Sequence, residues 1–446
     1  MTTFAPIFVP AALREATSDA AWLQAMLDAE RALALAESRL GLIPADAADS
    51  IAASCRAELF DIAELAETGR GAGNPVEPLV RALRERVGGE AADLVHWGAT
   101  SQDILDTAAM LVSRRTVDLI LDELDGVAAA ASTLAEEHAR TPMAARTLLQ
   151  QAVPTTFGYK AAAWLLAVLD ARAALATIRH DRLAAQLGGA AGTLAAFGDD
   201  GLELAEAFAN ELQLPCPVAP WHSDRSRIAE LGAALELAAG AVSKIALDVV
   251  LLAQTEVGEA WEGDGGVSST MPQKRNPIRS AVTIACARGV DAAASLLRGG
   301  MAHEHERAAG GWHAEWSALS DALALTGGAA ASARELLDGL ELDTERMREN
   351  LDVSHGLVMA ERLTFLLAER LGRREAHQLV ADAAARARDG GRSFPDELRA
   401  DERVSLSPSE LEAALDPAGY LGSAPELVES ILERYRASIA GAEAAS

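Results

Sequence analysis

The stretch Gln102–His138, QDILDTAAMLVSRRTVDLILDELDGVAAAASTLAEEH, indicates the fold most directly, because its apolar residues keep helical spacing throughout. The residues of one face recur every three or four positions: Met110, Val117, Leu121, Leu124, Ala128, Ala131 and Ala135. At about 1.5 Å of rise per residue, one helix of this extent would be roughly 55 Å long. A helix of that length exceeds the needs of an ordinary globular domain and favours a bundle of long helices.

Further apolar segments have the length of bundle helices. They cover residues 157–187, 225–261, 277–297 and 313–340. A composition that is 50% hydrophobic but only 4% aromatic, and dominated by Ala and Leu, favours helix throughout the chain. The sequence therefore predicts an all-α protein of three helical domains. We expect a central five-helix bundle over residues 105–348, flanked by an N-terminal domain over 1–104 and a C-terminal domain over 349–446.

Two interruptions of this helical pattern are predicted from glycine. The pair Gly327–Gly328 lies inside the fifth long segment and is expected to kink that helix. The stretch Thr68–Pro75, TGRGAGNP, is rich in turn-forming residues and is predicted to be a loop between two shorter helices.

The charge of the chain restricts its partners. It has 66 acidic and 39 basic residues, a formal net charge of −27, which argues against nucleic acid and anionic membrane surfaces as partners. No unbroken apolar run reaches the ~18–20 residues that span a bilayer, and no signal peptide is evident. The cysteines Cys55, Cys216 and Cys286 are widely separated, which fits a reducing compartment, so a cytoplasmic location is predicted.

A second stretch carries candidate chemistry: Gly263–Ala281, GDGGVSSTMPQKRNPIRSA. Its glycines predict a flexible loop, which ends at Pro277 ahead of the fourth long helix. Serines followed by Lys-Arg-Asn suit a lid with an acid/base group and an anion clamp, but a plain surface linker is equally open from these features. The chain has 36 arginines and only three lysines, so Lys274 stands out here as a compact point charge.

A polar cluster precedes the long helix that begins near residue 102. Thr100, Ser101 and Gln102 follow Gly98, a combination typical of an N-cap and also of an anion-binding helix N-terminus. His96 lies just before the cluster, and for it a ligand contact and a structural hydrogen bond are both open.

The loop motif GxxSSTMPxKRNP resembles the signature loop of the fumarase/aspartase superfamily, whose members make or break a bond β to a carboxylate. Three more segments resemble that superfamily in the same order: HWGATSQDILDT, RTLLQQAVPTTFG and HEHERAAGGWHAEW. The resemblance implies a homotetramer with a twenty-helix core, active sites shared between subunits, and no metal or other cofactor. It also implies that Ser268 is the general base and that Lys274 stabilises a carbanion-like intermediate.

The same resemblance implies that Thr100, Ser101, Gln102, Thr147 and Gln150 bind the substrate. The expected set is completed by residues beside these motifs, in the signature loop or carrying positive charge. The expected set is His96, Thr100, Ser101, Gln102, Thr147, Gln150, Gln151, Ser269, Met271, Asn276 and Arg307. A local pool of positive charge for an anionic substrate is expected from Arg146, Lys274, Arg275, Arg279 and Arg307. The histidines His303, His305 and His313 lack the spacing that would put two of them on one helical face, so no metal site is predicted.

Departures from the superfamily pattern narrow the expected reaction. Leu148 stands where lyases that expel an amine or water commonly carry a histidine tied to the acid role, and Ala281 stands where adenylosuccinate lyases usually have a glutamate. A carboxylate leaving group needs no proton. The motifs HEHERAAGGWHAEW, HWGATSQDILDT and GNPVEPLV resemble those of the 3-carboxy-cis,cis-muconate cycloisomerase family, and this resemblance implies a tricarboxylate substrate. The alternatives are an adenylosuccinate lyase-like enzyme and a catalytically silent structural protein, and the intact Ser268, Lys274 and Asn276 argue against the latter.

Overall fold

The computed structural model describes residues 4–263, 266–267, 271, 274–390 and 392–445. Within these residues α-helix dominates, and the strands pair into three two-stranded sheets. The prediction of an all-α protein is therefore confirmed. The twenty-helix core of a tetramer stays a prediction.

The helices before the first long one are short or of medium length. Their bounds are α1 Ala5–Phe8, α2 Ala11–Ala16, α3 Asp19–Arg39, α4 Ala45–Ser54, α5 Ile62–Ala72 and α6 Val76–Val87. The predicted loop at Thr68–Pro75 is wrong for most of its length, since α5 continues to Ala72 and ends at Gly73, whose φ is 71°. At Gly69, inside the helix, a Cβ atom would lie 3.2 Å from the carbonyl oxygen of Asn74, so the missing side chain leaves room for the segment that follows the helix.

The long helices lie close to their predicted positions. Their bounds are α7 Ser101–Glu137, α8 Phe157–Asp181, α10 Ser226–Leu252, α11 Ile278–Gly299 and α12 Gly311–Asp338, with the shorter α9 Gly201–Glu211 before α10. The predicted extensions of α8 to residue 187 and of α10 to Trp261 are wrong, since these helices end at Asp181 and Leu252. A turn follows Leu252, in which Gly258 has a φ of 60° and donates its N–H to the carbonyl of Gln254 (2.7 Å), and an extended strand comes next.

The expected kink at Gly327–Gly328 is also wrong, because α12 continues through both residues. A Cβ atom at Gly328 would lie 2.2 Å from the carbonyl oxygen of Phe8, and one at Gly327 would lie 2.5 Å from a methyl carbon of Leu13. The two glycines therefore allow the N-terminal segment to pack directly on the backbone of α12.

The strands are short and antiparallel. They pair as β1 Pro142–Thr147 with β2 Gln150–Thr156, β3 Ala260–Glu262 with β6 Leu340–Leu342, and β4 Gly266–Val267 with β5 Arg275–Asn276. The β1–β2 pair is a hairpin that directly precedes α8. The β4–β5 pair joins the two ends of the loop predicted from the sequence.

The C-terminal helices have their own apolar core, and all of them except the 22-residue α18 are shorter than the long helices of the bundle. Their bounds are α13 Thr344–Asp352, α14 Ala360–Leu371, α15 Arg373–Arg388, α16 Phe394–Arg399, α17 Pro408–Leu415 and α18 Ala424–Ala445. Leu363, Leu367, Leu379 and Phe394 are fully buried at the centre of this core.

The chain divides into two compact units, each assembled from separated segments. One unit comprises residues 1–125, 170–243 and 282–333, and the other comprises 126–169, 244–281 and 334–446. The divisions fall inside the long helices α7, α8, α10, α11 and α12, so each of these helices contributes to both units. The expected division into three domains stays a prediction.

Two bundle helices have a composition that a membrane span would also have. By length and composition alone, α8 and α11 are apolar enough to cross a bilayer, although neither is an unbroken apolar run. In their most apolar windows, 44% and 50% of the residues are buried within this one chain. Core helices of helical bundles have the same composition, so this is weak evidence for a membrane.

Helix α3 carries two buried acidic residues, Glu30 and Glu37. Burial, with a smaller contribution from the negative charge of Glu30, raises the pKa of Glu37 to about 9. Neither carboxyl oxygen of Glu37 has a hydrogen-bond partner among the described residues. The Glu37 carboxyl is therefore protonated and neutral at neutral pH.

As the pH rises, the wild-type protein is expected to lose stability relative to the Glu37→Gln variant, whose amide does not ionise. The pKa in the folded protein, about 9, exceeds the ordinary value of 4.5, so the Glu37 contribution is complete below pH 4.5 and is lost as the pH approaches 9. The slope is at most about 1.4 kcal/mol per pH unit. Thermal unfolding of both proteins across this range measures the difference in Tm, and a difference independent of pH would contradict a neutral Glu37.

Candidate active site

Three predicted substrate-binding residues meet at the start of α7. Arg307 donates from Nε to Oε1 of Gln102 (3.1 Å), from Nη1 to Oγ1 of Thr100 (3.1 Å), and from Nη2 to the carbonyl of Ala190 (3.1 Å). All three acceptors are neutral. Among the described residues no carboxylate lies within ion-pair distance of Arg307, so its positive charge remains available to an anion.

The other arginines of the expected positive pool are neutralised by acidic residues. Arg146 makes a bidentate pair with Glu259 (2.7 and 2.8 Å), a residue with no exposed surface. Arg275 pairs with Glu341 at 3.3 Å, and Arg279 pairs with Glu335 at 2.9 Å. Lys274 has an exposed side chain, and its backbone N–H donates to the carbonyl of Met271 (3.0 Å). The charges of these three arginines are therefore already matched by acidic partners.

Asp103 holds the backbone around the Arg307 group, by which we mean Arg307 with its acceptors Thr100, Gln102 and Ala190. Its carboxylate accepts from the backbone N–H groups of Thr100 (3.0 Å), Gly188 (2.8 Å) and Gly189 (2.9 Å), and it lies 2.6 Å from Nε2 of His222. The side chain is fully buried. Because Ala190 follows Gly189 directly, these bonds also hold the carbonyl oxygen that accepts from Arg307.

His96 makes the structural hydrogen bond that the sequence left open. Its Nδ1 lies 2.6 Å from Oε1 of the buried Glu30, and its backbone adopts a left-handed φ of 61°. Burial is the largest single influence and lowers the pKa of His96, but the charge of Glu30, its hydrogen bond and the charge of Asp103 together raise the pKa overall. His96 also lines a cleft of about 400 Å³ together with Ser101 and Arg84, so the hydrogen bond does not remove it from a candidate site.

The β1–β2 hairpin carries three more of the residues that were predicted to bind the substrate. Thr147 and Gln150 face each other in register at its tip and are exposed. Leu148 and Leu149 form the turn with φ values of 50° and 65°, the left-handed pair of a type I′ turn that usually holds Gly or Asn. Gln151 donates from Nε2 to the carbonyl of Asn350 (2.7 Å), which ties the hairpin to α13. The position at which amine- or water-expelling lyases commonly carry an acid is therefore occupied by Leu148, an exposed apolar residue of this turn.

Ser268 and Ser269 lie outside the described residues, so their assigned roles stay predictions. The two ends of their loop are tied together by Glu262, which accepts from the backbone N–H groups of Arg279 (2.9 Å) and Ser280 (2.9 Å) at the start of α11. Asn276, predicted to bind substrate, donates from Nδ2 to the carbonyl of Gly266 (3.2 Å). These bonds give the loop a firm base.

Within the described residues no group of three or more His, Cys, Asp and Glu side chains is placed to hold a metal ion. The side chain of His303 is 1% exposed and lies 3.3 Å from Glu315. Burial lowers the pKa of His303. His303 therefore belongs to a buried polar cluster with Glu315, and the absence of a metal remains an expectation.

Comparison with known proteins defines the family. Residues 9–290 match the family model described as lyase, and residues 356–431 match the model described as adenylosuccinate lyase C-terminus. The chain belongs to the lyase family. This lyase is 46% identical over 437 residues to the 3-carboxy-cis,cis-muconate cycloisomerase of Bradyrhizobium diazoefficiens, covering 96% of this chain and 97% of the relative.

Two further similarities extend over nearly the whole lyase. It is 46% identical over 440 residues to the nitrosuccinate lyase of Streptomyces davaonensis, covering 95% of this chain and 93% of the relative. The crystal structure of the 3-carboxy-cis,cis-muconate lactonizing enzyme from Pseudomonas putida superposes with a TM-score of 0.92 at 43% identity, covering 97% of this chain and 99% of that one. The superfamily resemblance seen in four motifs is therefore confirmed along the full chain.

Sequence reasoning missed the buried residues that support this site. They are Glu30, Asp106, His222, Arg225, Glu259, Glu315 and Asn350. The available signal was a charged residue on an otherwise apolar helix face. Asp106 lies one helical turn before Ala109 and Met110 on α7, and Glu315 lies one turn after Trp312 on α12. A charge at such a position indicates a buried partner, but its identity cannot be obtained from spacing along one helix.

Proposed function

We propose that this lyase is a 3-carboxy-cis,cis-muconate cycloisomerase, which converts 3-carboxy-cis,cis-muconate to 4-carboxymuconolactone. The observation that carries the proposal is the 46% identity to a relative of that name over 96% of the chain. Leu148 also supports the proposal. A lyase that expels an amine or water must protonate its leaving group, and a leucine side chain cannot donate a proton. The adenylosuccinate lyase-like alternative has weaker support, since the family model described as adenylosuccinate lyase C-terminus matches only residues 356–431.

The proposed reaction is an addition followed by a proton transfer. One carboxylate oxygen of the substrate bonds to a carbon of the double bond, and the electron pair of that double bond moves onto the carboxylate that activates it. The ammonium of Lys274 stabilises this carbanion-like intermediate. The α-carbon then takes the hydroxyl proton of Ser268, which regains a proton from solvent, so the product is an isomer of the substrate.

The Arg307 group supports the binding of one substrate carboxylate. Three of the five guanidinium N–H groups are used by Thr100, Gln102 and Ala190, so donors remain for a carboxylate. We propose that Thr100, Ser101, Gln102 and His96 form this part of the site. Thr147, Gln150, Gln151, Ser269, Met271 and Asn276 complete the proposed substrate-binding set.

A second candidate is a lyase that acts on nitrosuccinate, which the equally high identity to nitrosuccinate lyase favours. Elimination from nitrosuccinate would expel nitrite, a stable anion that also departs without a proton. The lack of an acid at Leu148 is therefore compatible with both reactions, and only a substrate comparison distinguishes them.

The deciding experiment is turnover by the purified protein of 3-carboxy-cis,cis-muconate, nitrosuccinate and adenylosuccinate. Loss of the conjugated-diene absorbance with formation of 4-carboxymuconolactone is the expected result. Release of nitrite from nitrosuccinate with no turnover of the muconate would overturn the proposal in favour of the second candidate. Turnover of adenylosuccinate alone would support the amine-expelling alternative.

We propose that the lyase is a homotetramer with sites shared between subunits. About half of the most apolar windows of α8 and α11 remain unburied within one chain, and Leu237 and Leu296 on the bundle helices are 60% and 45% exposed. Light scattering coupled to size exclusion is expected to give four times the chain mass of 46.6 kDa. A stable monomer at micromolar concentration would contradict this.

We propose a cytoplasmic location, without nucleic-acid or membrane partners. The formal net charge of −27 supports this, since it would repel phosphate backbones and anionic lipid surfaces. An anionic substrate then depends on local positive charge, which Arg307 and Lys274 supply.

A further inference from the structure

A fully buried charge cluster lies directly behind the Arg307 group. The guanidinium of Arg225, 1% exposed, donates to both oxygens of Asp106 (2.8 and 3.0 Å) and to Glu315 (2.6 Å). The central guanidinium carbon of Arg225 also lies over the indole of Trp221, 4.9 Å from the ring centroid. A cation and two carboxylates are costly to bury, and removal of any one of them would leave an uncompensated buried charge.

Asp106 is the member of the cluster that reaches the site. Its Oδ2 accepts from Nε2 of Gln102 (3.0 Å) and from Arg225, and its Oδ1 accepts from Arg225 and from the indole N–H of Trp312 (3.0 Å). Four donors therefore point at one carboxylate. Every lone-pair direction of Asp106 is used, which fixes this side chain in one position.

The cluster determines which way the Gln102 amide points. The two N–H bonds of its Nε2 go to Oδ2 of Asp106 and to the carbonyl of His222 (2.9 Å), and both of these groups can only accept. The amide oxygen must then face the opposite side, where it accepts from Nε of Arg307. A reversed amide would place N–H groups against the guanidinium and leave Arg307 without this acceptor.

We propose that Asp106, held by Arg225, is a positioning residue that orients Gln102 and through it aims Arg307 at the substrate carboxylate. This deepens the proposed function and rests on it for the substrate, but the contacts that carry it do not depend on which carboxylate is bound. Asp106 and Arg225 act only through Gln102, so their loss weakens binding more than it slows the chemical step.

Asparagine cannot replace Asp106, although it has the same shape. If the amide nitrogen takes the place of Oδ2, its N–H groups face the donors of Gln102 and Arg225. If it takes the place of Oδ1, they face the donors of Arg225 and Trp312. Reversal of Gln102 relieves one of these conflicts at the expense of Arg307. The Asp106→Asn variant is therefore expected to bind substrate poorly even when it folds.

The test is a double-mutant cycle on KM. Asp106→Asn is expected to raise KM for 3-carboxy-cis,cis-muconate roughly 10- to 100-fold with kcat within about threefold. In the Gln102→Met background the same substitution is expected to add little, because both changes interrupt one pathway to Arg307. Effects that multiply independently would overturn the proposal, as would an unchanged KM.

Trp312→Phe is the matched control. It removes one donor from the other oxygen of Asp106 and leaves the contact to Gln102 in place, so it is expected to lower Tm while KM stays unchanged. A comparable rise in KM for this control would show that general loosening, not Gln102 orientation, accounts for the effect. If Asp106→Asn does not fold, Arg225→Lys keeps the charge, loses the forked contact, and is expected to give the same non-additive rise in KM.

Calorimetric titration with tricarballylate, a simple tricarboxylate, separates this inference from the proposed function, because it requires no turnover. Weaker binding by Asp106→Asn but not by Trp312→Phe supports the positioning role even if another substrate proves correct. Equal binding by wild type and Asp106→Asn overturns it. A wild-type protein that neither binds tricarballylate nor turns over 3-carboxy-cis,cis-muconate overturns both proposals.

Discussion

Replacing Ser268 by alanine is expected to lower kcat roughly 100- to 10,000-fold, the range for a positioned acid/base group, with a much smaller change in KM. The reaction needs one proton delivered to the α-carbon, and the hydroxyl of Ser268 is its proposed source. Serine is a weak acid and a weak base, so the ammonium of Lys274 is expected to stabilise its alkoxide. Steady-state kinetics, together with hydrogen exchange at the α-carbon followed by NMR in D₂O, measure the loss.

Two further variants of the loop make this prediction specific. Ser269→Ala removes the neighbouring hydroxyl and is expected to have a milder effect. Lys274→Arg keeps the charge but is expected to fail, because a guanidinium is larger than an ammonium and differently shaped. Near-normal kcat for Ser268→Ala would place the proton donor elsewhere. His96 would then be the next residue to replace.

Replacing Arg307 by methionine is expected to lower kcat/KM roughly 100-fold, mainly through KM. The guanidinium has three neutral partners and no described carboxylate partner, so its charge is not already satisfied by the protein. A substrate carboxylate that pairs with it loses this interaction in the ground state and in the transition state alike. Initial-rate measurements over a range of substrate concentrations separate KM from kcat.

Arg279→Met is the matched control for Arg307→Met. Arg279 belongs to the same pool of positive charge expected from the sequence, but it is half exposed and paired with Glu335 at 2.9 Å. Such a surface pair contributes about 0–1 kcal/mol to stability, so KM is expected to stay unchanged. An equal rise in KM for both variants would show that net charge, and not the Arg307 group, governs substrate binding.

The fold could be predicted from the sequence to the extent that local periodicity determines it. The spacing of apolar residues placed α7 and α12 within a few residues of their observed bounds. It failed where a contact distant in sequence decided the outcome. Gly327–Gly328 was expected to kink α12, but the carbonyl of Phe8 occupies the space that a side chain would need. Glycine marks such close packing and helix breaks equally well.

The site could be predicted only as a set of residue types. The motifs identified Thr100, Gln102 and Arg307, and the structure brings these three together by hydrogen bonds. The cluster of Asp106, Arg225 and Glu315 behind them was missed. Asp106 and Glu315 lie within the quoted motifs, but the motifs do not show that the two residues meet, and the cluster is assembled from α7, α12 and the residue just before α10. Ser268 remains assigned by resemblance.

The sequence by itself determined the helical class, the positions of the long helices and membership of the lyase family, because these depend on local spacing and on contiguous motifs. Only the tertiary structure decided which charges are satisfied. Arg146 is neutralised by Glu259, 113 residues away, whereas Arg307 meets the neutral amide of Gln102, 205 residues away. The physical reason is that ion pairing and desolvation act over a few ångströms in space, and the chain brings such partners together only by folding.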